Sequence, residues 1–179
     1  MKTMAISSED IKKLRELTSC GVIDCKKALE EAQGDFTKAK EILLKRGLEI
    51  AAKKSGREAK EGRIESYVHM GNKIAVLVEV NCETDFVGRN EDFCRFTKDL
   101  AMHIAATAPK YIKKEDVPAE VLASQPNQEE FIKANCLMEQ NYVKDPSLTI
   151  ADYLNSLIAK IGENIRVSRF TRYKVGESE

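Results

Sequence analysis

The sequence predicts an α+β fold, with an N-terminal bundle of three helices followed by a core of helices packed on a small antiparallel sheet of about three strands. Three changes of pattern lead to this prediction. Apolar residues recur at helical spacing through residues 11–43, and the period changes to two at residues 74–80. Helical spacing returns after residue 90, and an alternating segment follows residue 164. A chain of 179 residues, 42% of them hydrophobic, is long enough to bury a substantial core.

The first helix has a strong start signal. Ser7 and Asp10 form a variant of the capping box, in which each residue satisfies a backbone donor of the other. Ile6 and Ile11 flank them as a hydrophobic staple. We therefore expect the chain to enter its first helix at this point.

The second and third helices are predicted from caps and stripes. Asp24 is predicted to cap the second helix and Gly34 to follow its end. Asp35 is predicted to cap the third, which Gly47 ends in a left-handed conformation. The expected inward stripes are Cys25, Ala28, Leu29 and Ala32, then Phe36, Ala39, Ile42 and Leu43. The sequence thus predicts a helical domain over residues 1–48.

A charged segment separates this bundle from the core. Residues 49–62 mix lysine, arginine and glutamate, with glycine at positions 56 and 62. We predict a partly helical connector here, and its basic residues form either a solvated face or a phosphate-contacting strip. The α+β core, with the surfaces for self-association and partner binding, is then predicted over residues 63–179.

A hairpin is predicted at the start of the core. The alternation of residues 74–80 indicates a strand with one buried face, and Gly71-Asn72 is a tight-turn pair. Residues 64–69 are therefore expected to form the other arm. A loop is predicted over residues 82–89. A sheet this small needs cover on both faces, so we expect self-association through an uncovered face.

Helices and a last strand complete the predicted core. Three helices are expected. The first begins at Asn90 and stops before Pro109, the second spans residues 128–140, and the third begins at Thr149 and closes at Gly162. The last strand is expected to place four apolar residues on one face: Ile165, Val167, Tyr173 and Val175.

Composition excludes several classes of function. The 29 basic and 29 acidic residues give no net charge, which argues against direct nucleic-acid binding. The longest aliphatic run, residues 74–78, is too short to cross a membrane, and residues 1–10 lack the apolar segment of a secretory signal. The five cysteines are odd in number and none are spaced CxxC, so we expect reduced thiols and a cytoplasmic location.

Catalytic and ligand-binding motifs are not found. The sequence contains no GxSxG, GxxxxGK[ST], GxGxxG or HExxH pattern. Of the two histidines, His103 follows Phe96 and Leu100 at helical spacing and is interpreted as packed. We therefore predict a protein that is not an enzyme and holds neither a cofactor nor a metal.

Two segments have unusual composition for connectors. Residues 81–90 place Phe86 beside Asp85. The ring either folds into the core or is presented to a partner as an anchor flanked by a charge. Val22 and Ile23, between the first two helices, either staple the bundle or form an exposed apolar tip. The residues alone leave both choices open.

Five stretches resemble the bacterial-type translation elongation factor Ts family. They are residues 14–47, 51–62, 77–93, 99–109 and 161–177, in family order, and the motifs DCKKAL and NCETDFV within them are highly specific. The chain is similar to the short members with a single core. It departs from the usual family residues at Ser19-Cys20, at Val22-Ile23 and at Gly88.

The resemblance implies a guanine-nucleotide exchange factor for elongation factor Tu, which releases GDP during translation elongation. It implies that the bundle is similar to a ubiquitin-associated domain and docks on the GTPase domain of the partner. It also implies that Phe86 enters near the magnesium and phosphate site, and that short members form homodimers. The implied partner-binding residues are Arg15, Val22, Ile23, Thr84, Asp85, Phe86, Val87, Ile161 and Gly162.

A rival reading is a ribosome- or RNA-associated adaptor. It would use the connector cations with Arg166, Arg172 and Lys174 of the last strand. An adaptor that acts through the bundle alone would leave the large core unexplained.

Overall fold

The structure is a computed structural model, and it describes residues 6–18 and 20–177. Ser19, part of one predicted connector, lies outside the described residues. The chain divides into two compact units. The first contains the described residues up to Arg57 together with Asn155–Asn164, and the second contains Glu58–Leu154 and the residues from Ile165 onward. The break after Arg57 falls inside the predicted connector, but residues 155–164 belong with the N-terminal helices.

The first unit is built on three helices: α1 (Ser8–Thr18), α2 (Val22–Glu31) and α3 (Phe36–Lys54). The predicted capping box is confirmed, since the Ser7 hydroxyl donates to Asp10 Oδ2 at 2.6 Å and the Asp10 amide donates to Ser7 Oγ at 3.1 Å. The Asp35 carboxylate caps α3 as predicted. The buried cluster contains Leu14, Cys25, Ala28, Leu29, Ala32, Ala39 and Leu43, which includes the whole stripe predicted for α2.

Two predicted helix boundaries in this unit are wrong. The helix α2 begins at Val22, with Gly21 at the cap. Asp24 therefore lies in the first turn, where its negative charge still interacts favourably with the positive end of the helix dipole. Gly47 does not end α3, which continues for two further turns through helix-forming residues. A Cβ on Gly47 would lie 3.6 Å from the Asn155 carbonyl oxygen, so this glycine lets two backbones approach closely.

The second unit is built on the sheet β1 (Glu61–Val68), β2 (Ile74–Cys82) and β5 (Arg166–Lys174), antiparallel in that order. The predicted hairpin is confirmed: Gly71 and Asn72 both have positive φ, and the His69 amide donates to the Ile74 carbonyl at 2.9 Å. The helix α5 (Glu91–Thr107) covers one face of this sheet and buries Phe93, Phe96, Leu100 and Ile104. Asn90 caps this helix as predicted.

Smaller elements complete the second unit. They are α4 (Asp85–Gly88), α6 (Ala119–Ala123), α7 (Gln128–Asn135), β3 (Asn141–Tyr142) and β4 (Asp145–Thr149), with short 3₁₀ turns at Lys114–Asp116 and Leu137–Glu139. The predicted helix over 128–140 therefore ends early, and the predicted loop over 82–89 contains the helical turn α4. The helix α8 (Ile150–Ile161) is capped by Thr149 and Asp152 and followed by Gly162 at φ +86°, as predicted.

The predicted apolar face of the last strand is wrong because β5 contains a bulge. Val167 pairs with Val80, whereas Arg169 pairs with the adjacent Glu79, so β5 has one extra residue at this point. An extra residue reverses the alternation of side chains. Val167 therefore faces the buried side, and Tyr173 lies on the exposed side.

Candidate functional site

The Phe86 turn, defined here as residues Asp85–Arg89, connects β2 to α5. Thr84 is extended and exposed at its entry. The Phe86 side chain is 81% exposed, so it does not fold into the core. Asp85 beside it forms an exposed ion pair with Arg89 at 2.7 Å, and Val87 is half-buried. An aromatic ring and a carboxylate are thus presented together to solvent.

Backbone and glycine contacts fix the position of this turn. The Gly88 amide donates to the Thr84 carbonyl at 3.4 Å, and the Asn90 amide donates to Val87 at 2.9 Å. The Cys82 thiol also donates to the Thr84 carbonyl, at 3.1 Å. A Cβ on Gly88 would lie 3.3 Å from the Gly62 carbonyl oxygen. The turn therefore rests directly on the first residues of β1.

The bundle tip, defined here as Val22 and Ile23, is also exposed. Val22 and Ile23 lie in the first turn of α2, and the Ile23 side chain is 69% exposed. Arg15 is exposed on α1. Arg15 and Val22 line a groove of about 450 Å³, whose wall also contains Ile50 and Lys160. These residues form a mixed apolar and basic surface within the first unit.

Ile161 and Gly162 lie at the end of α8 in the same unit, and both are half-buried. The Lys54 ammonium donates to the Gly162 carbonyl at 2.5 Å, and the Gly162 amide donates to the Ile158 carbonyl. Of the predicted site residues, the structure thus groups Arg15, Val22, Ile23, Ile161 and Gly162 in the first unit. Thr84, Asp85, Phe86 and Val87 are grouped in the second.

Burial shifts the pKa of several ionisable groups. His103 is fully buried, with Nε2 at 3.0 Å from Gln140 Oε1, and desolvation lowers its pKa. Burial raises the pKa of the thiols of Cys20, Cys25 and Cys136. Among the described residues, no three His, Cys, Asp or Glu side chains come together as they would around a metal ion. The described helices include none that is long and apolar enough to span a bilayer.

Comparison with known proteins agrees with the resemblance in the sequence. A family model described as elongation factor TS matches residues 3–129 and 127–177. The chain belongs to the elongation factor Ts family. An elongation factor Ts of Caldanaerobacter subterraneus is 49% identical, with 96% of this chain and 98% of the relative covered. For those of Thermotoga neapolitana and Geobacter sulfurreducens the identities are 49% and 47%, with 97% of this chain and 99% and 91% of the relatives covered.

Two of the basic residues that an RNA adaptor would use, Arg172 and Lys174, are engaged within the chain in this elongation factor Ts family member. The Arg172 side chain is only 12% exposed, and its guanidinium donates to the Ala105 carbonyl and to Glu177. Lys174 also pairs with Glu177, at 2.9 Å. Both cations therefore already have an acidic partner within the chain, so a phosphate group would have to compete with Glu177 for them.

Three residues at or next to the Phe86 turn were not predicted as site residues: Gly62 and Cys94, which approach Gly88, and Arg63, which contacts Cys94. Arg63 Nη1 donates to Cys94 Sγ at 2.7 Å, and the two residues are 31 positions apart. No local spacing signals such a pair. Only the glycine at position 62, just before an alternating segment, hinted at a close backbone approach.

Proposed function

We propose that this protein promotes the release of GDP from elongation factor Tu during translation elongation. The observation that carries the proposal is an 81% exposed phenylalanine, Phe86, on a turn held by its own backbone, in a chain of the elongation factor Ts family. A large exposed ring beside a carboxylate has the composition of an interface hot spot.

The proposed mechanism is differential binding, without a covalent step. A GTPase holds its nucleotide through a phosphate-binding loop, a lysine and Mg²⁺. Mg²⁺ requires near-ideal octahedral geometry, so a small displacement of the groups around it strongly weakens its binding. A protein that prefers the nucleotide-free form must weaken nucleotide binding by the same factor, and about 3 kcal/mol of coupling corresponds to on the order of a hundredfold. In this proposal Asp85 and Phe86 enter near the magnesium and phosphate site, flanked by Thr84 and Val87.

The first unit supplies the second proposed contact. Arg15, Val22 and Ile23 would dock on the GTPase domain, and their exposure supports this. Ile161 would add an apolar contact. The amide and the carbonyl of Gly162 already make hydrogen bonds within the unit. Its proposed role is therefore to let the partner approach its main chain closely.

The test is release of a fluorescent GDP from elongation factor Tu. Truncation of a hot-spot residue costs about 2–4 kcal/mol, so Phe86→Ala should slow release by at least about thirtyfold. Val143→Ala, which truncates another exposed apolar residue of the second unit, is the matched control and should release nucleotide at the wild-type rate. Wild-type kinetics for Phe86→Ala at matched concentration would refute the proposed entry of Phe86 near the magnesium and phosphate site.

The docking of the first unit is tested separately. Ile23→Asp places a charge on the exposed tip without touching the buried cluster. We expect it to raise the concentration of this protein needed for half-maximal release while leaving the maximal rate nearly unchanged. An unchanged half-maximal concentration would show that the tip does not contact the partner.

We also propose that the protein forms a homodimer through the sheet face opposite α5. The register places Leu77 between Ser66 and Thr171, and Ala75 between Val68 and Tyr173. Leu77 is 49% exposed and Tyr173 is 60% exposed. Burying such a face against a second copy removes its apolar area from water. Sedimentation at micromolar concentration should show a dimer that Leu77→Glu dissociates and Val143→Glu does not. A monomeric wild-type protein would refute this.

A further inference from the structure

We propose that Arg63 and Cys94 are positioning residues for Phe86, acting as a polar support that fixes the direction of the exposed ring. The inference rests on the proposed function, in which Phe86 meets the GTPase. It assigns a role to two residues that are not among the proposed partner contacts.

The support meets the Phe86 turn at Gly88. The Cys94 thiol, in the first turns of α5, donates to the Gly88 carbonyl at 3.7 Å. The same sulfur accepts a hydrogen bond from Arg63 Nη1 at 2.7 Å. Cys94 therefore links the last residue of α4 to a cation on β1.

The other end of the support is anchored in the core. Arg63 Nη2 lies 2.9 Å from Glu65 Oε2, and Glu65 is buried. The Thr97 hydroxyl lies 3.1 Å from the same carboxylate oxygen and 3.0 Å from the Cys94 carbonyl oxygen, and its one hydrogen is within reach of both acceptors. Together these contacts form a closed set of hydrogen bonds between β1 and α5, so Arg63 and Cys94 cannot shift independently.

The exposed ring needs such a support because it has little packing of its own. A side chain that is 81% exposed is not held by burial, so its position follows that of its backbone. That backbone is a four-residue helix, too short to be stable without tertiary contacts. Arg63 Nε is buried and has no hydrogen-bond partner among the described residues, an arrangement that stability alone does not favour.

A double-mutant cycle tests the proposal. Maximal GDP release from elongation factor Tu is measured for wild type, Cys94→Ala, Phe86→Ala and the double variant. A misplacement of about 1 Å can cost on the order of a hundredfold in rate, so a partial loss of support should slow release by about tenfold in Cys94→Ala. Cys94→Ala should add nothing further in the Phe86→Ala background. Cys94→Ser, which keeps a donor and an acceptor, should restore most of the rate, and Arg63→Met should behave like Cys94→Ala.

The matched control is Cys136→Ala, which removes a second thiol of the second unit, a buried one, without touching the turn. It should keep the wild-type rate, and its loss of thermal stability calibrates that of Cys94→Ala. If the losses at Cys94 and Phe86 multiply, or Cys94→Ala releases GDP at the wild-type rate while Phe86→Ala is slow, the positioning role is overturned and the proposed function stands. If Phe86→Ala is fully active, the positioning role and the proposed role of Phe86 are both overturned while GDP release itself stands, and if wild type releases no nucleotide, the proposed function is overturned as well.

Discussion

Replacing Gly62 with alanine should separate the start of β1 from β2. Gly62 has a φ of +137°, which L side chains rarely adopt. A Cβ built there would collide with the Val80 carbonyl oxygen and lie 2.7 Å from the Asn81 Cα. Both obstacles are backbone atoms, so no side-chain rotation relieves the clash. The two strands must move apart where the Phe86 turn rests.

The expected cost follows from two losses. A residue held in a sparsely populated backbone region costs on the order of 1–3 kcal/mol. Separation of the strands also breaks the hydrogen bond from Asn81 Nδ2 to the Glu61 carbonyl, which measures 3.2 Å and contributes about 1 kcal/mol. The total is roughly 2–4 kcal/mol, which for a chain of this length lowers the melting temperature by roughly 5–15 °C.

Thermal unfolding followed by circular dichroism measures this effect. The matched control is Gly71→Ala, because Gly71 also has a positive φ, +86°, but a Cβ there would have no heavy atom within 4 Å. The control bears only the backbone strain, about 1–2 kcal/mol. If Gly62→Ala melts at the same temperature as Gly71→Ala, the close approach of the strands does not carry the cost and the reasoning is refuted.

Three further outcomes are expected in urea unfolding. Burial lowers the pKa of His103, so the unfolded chain binds the proton first and the free energy of unfolding falls as the pH drops below about 6.5. The His103→Gln variant should lose less of its unfolding free energy over this pH range than wild type, and equal losses would contradict this. Leu29→Ala should cost about 2–5 kcal/mol because Leu29 is fully buried, and a cost below about 1 kcal/mol would contradict it. Asp35→Ala should cost about 1 kcal/mol, more than Asp24→Ala, since only Asp35 caps its helix; equal costs would refute this.

Local signals in the sequence were sufficient where the physics is local. The capping boxes at Ser7 and Thr149 involve residues three positions apart, so the pattern and the hydrogen bonds coincide. The hairpin at Gly71-Asn72 depends on backbone conformations that few residue types adopt readily. Gly47 failed as a stop signal because the approach of a distant segment, at Asn155, determines its role.

The sequence by itself determined the main helices and strands and the residue types at the candidate site, because caps, turns and apolar periods act over a few positions. Tertiary structure decided the rest. Phe86 could have been core or surface by composition, and only the packing of its turn on Gly62 leaves the ring exposed. The bulge that turns Tyr173 outward and the pairing of Arg63 with Cys94 both depend on contacts between distant segments. Such contacts form only when strands align and helices pack, so no local pattern encodes them.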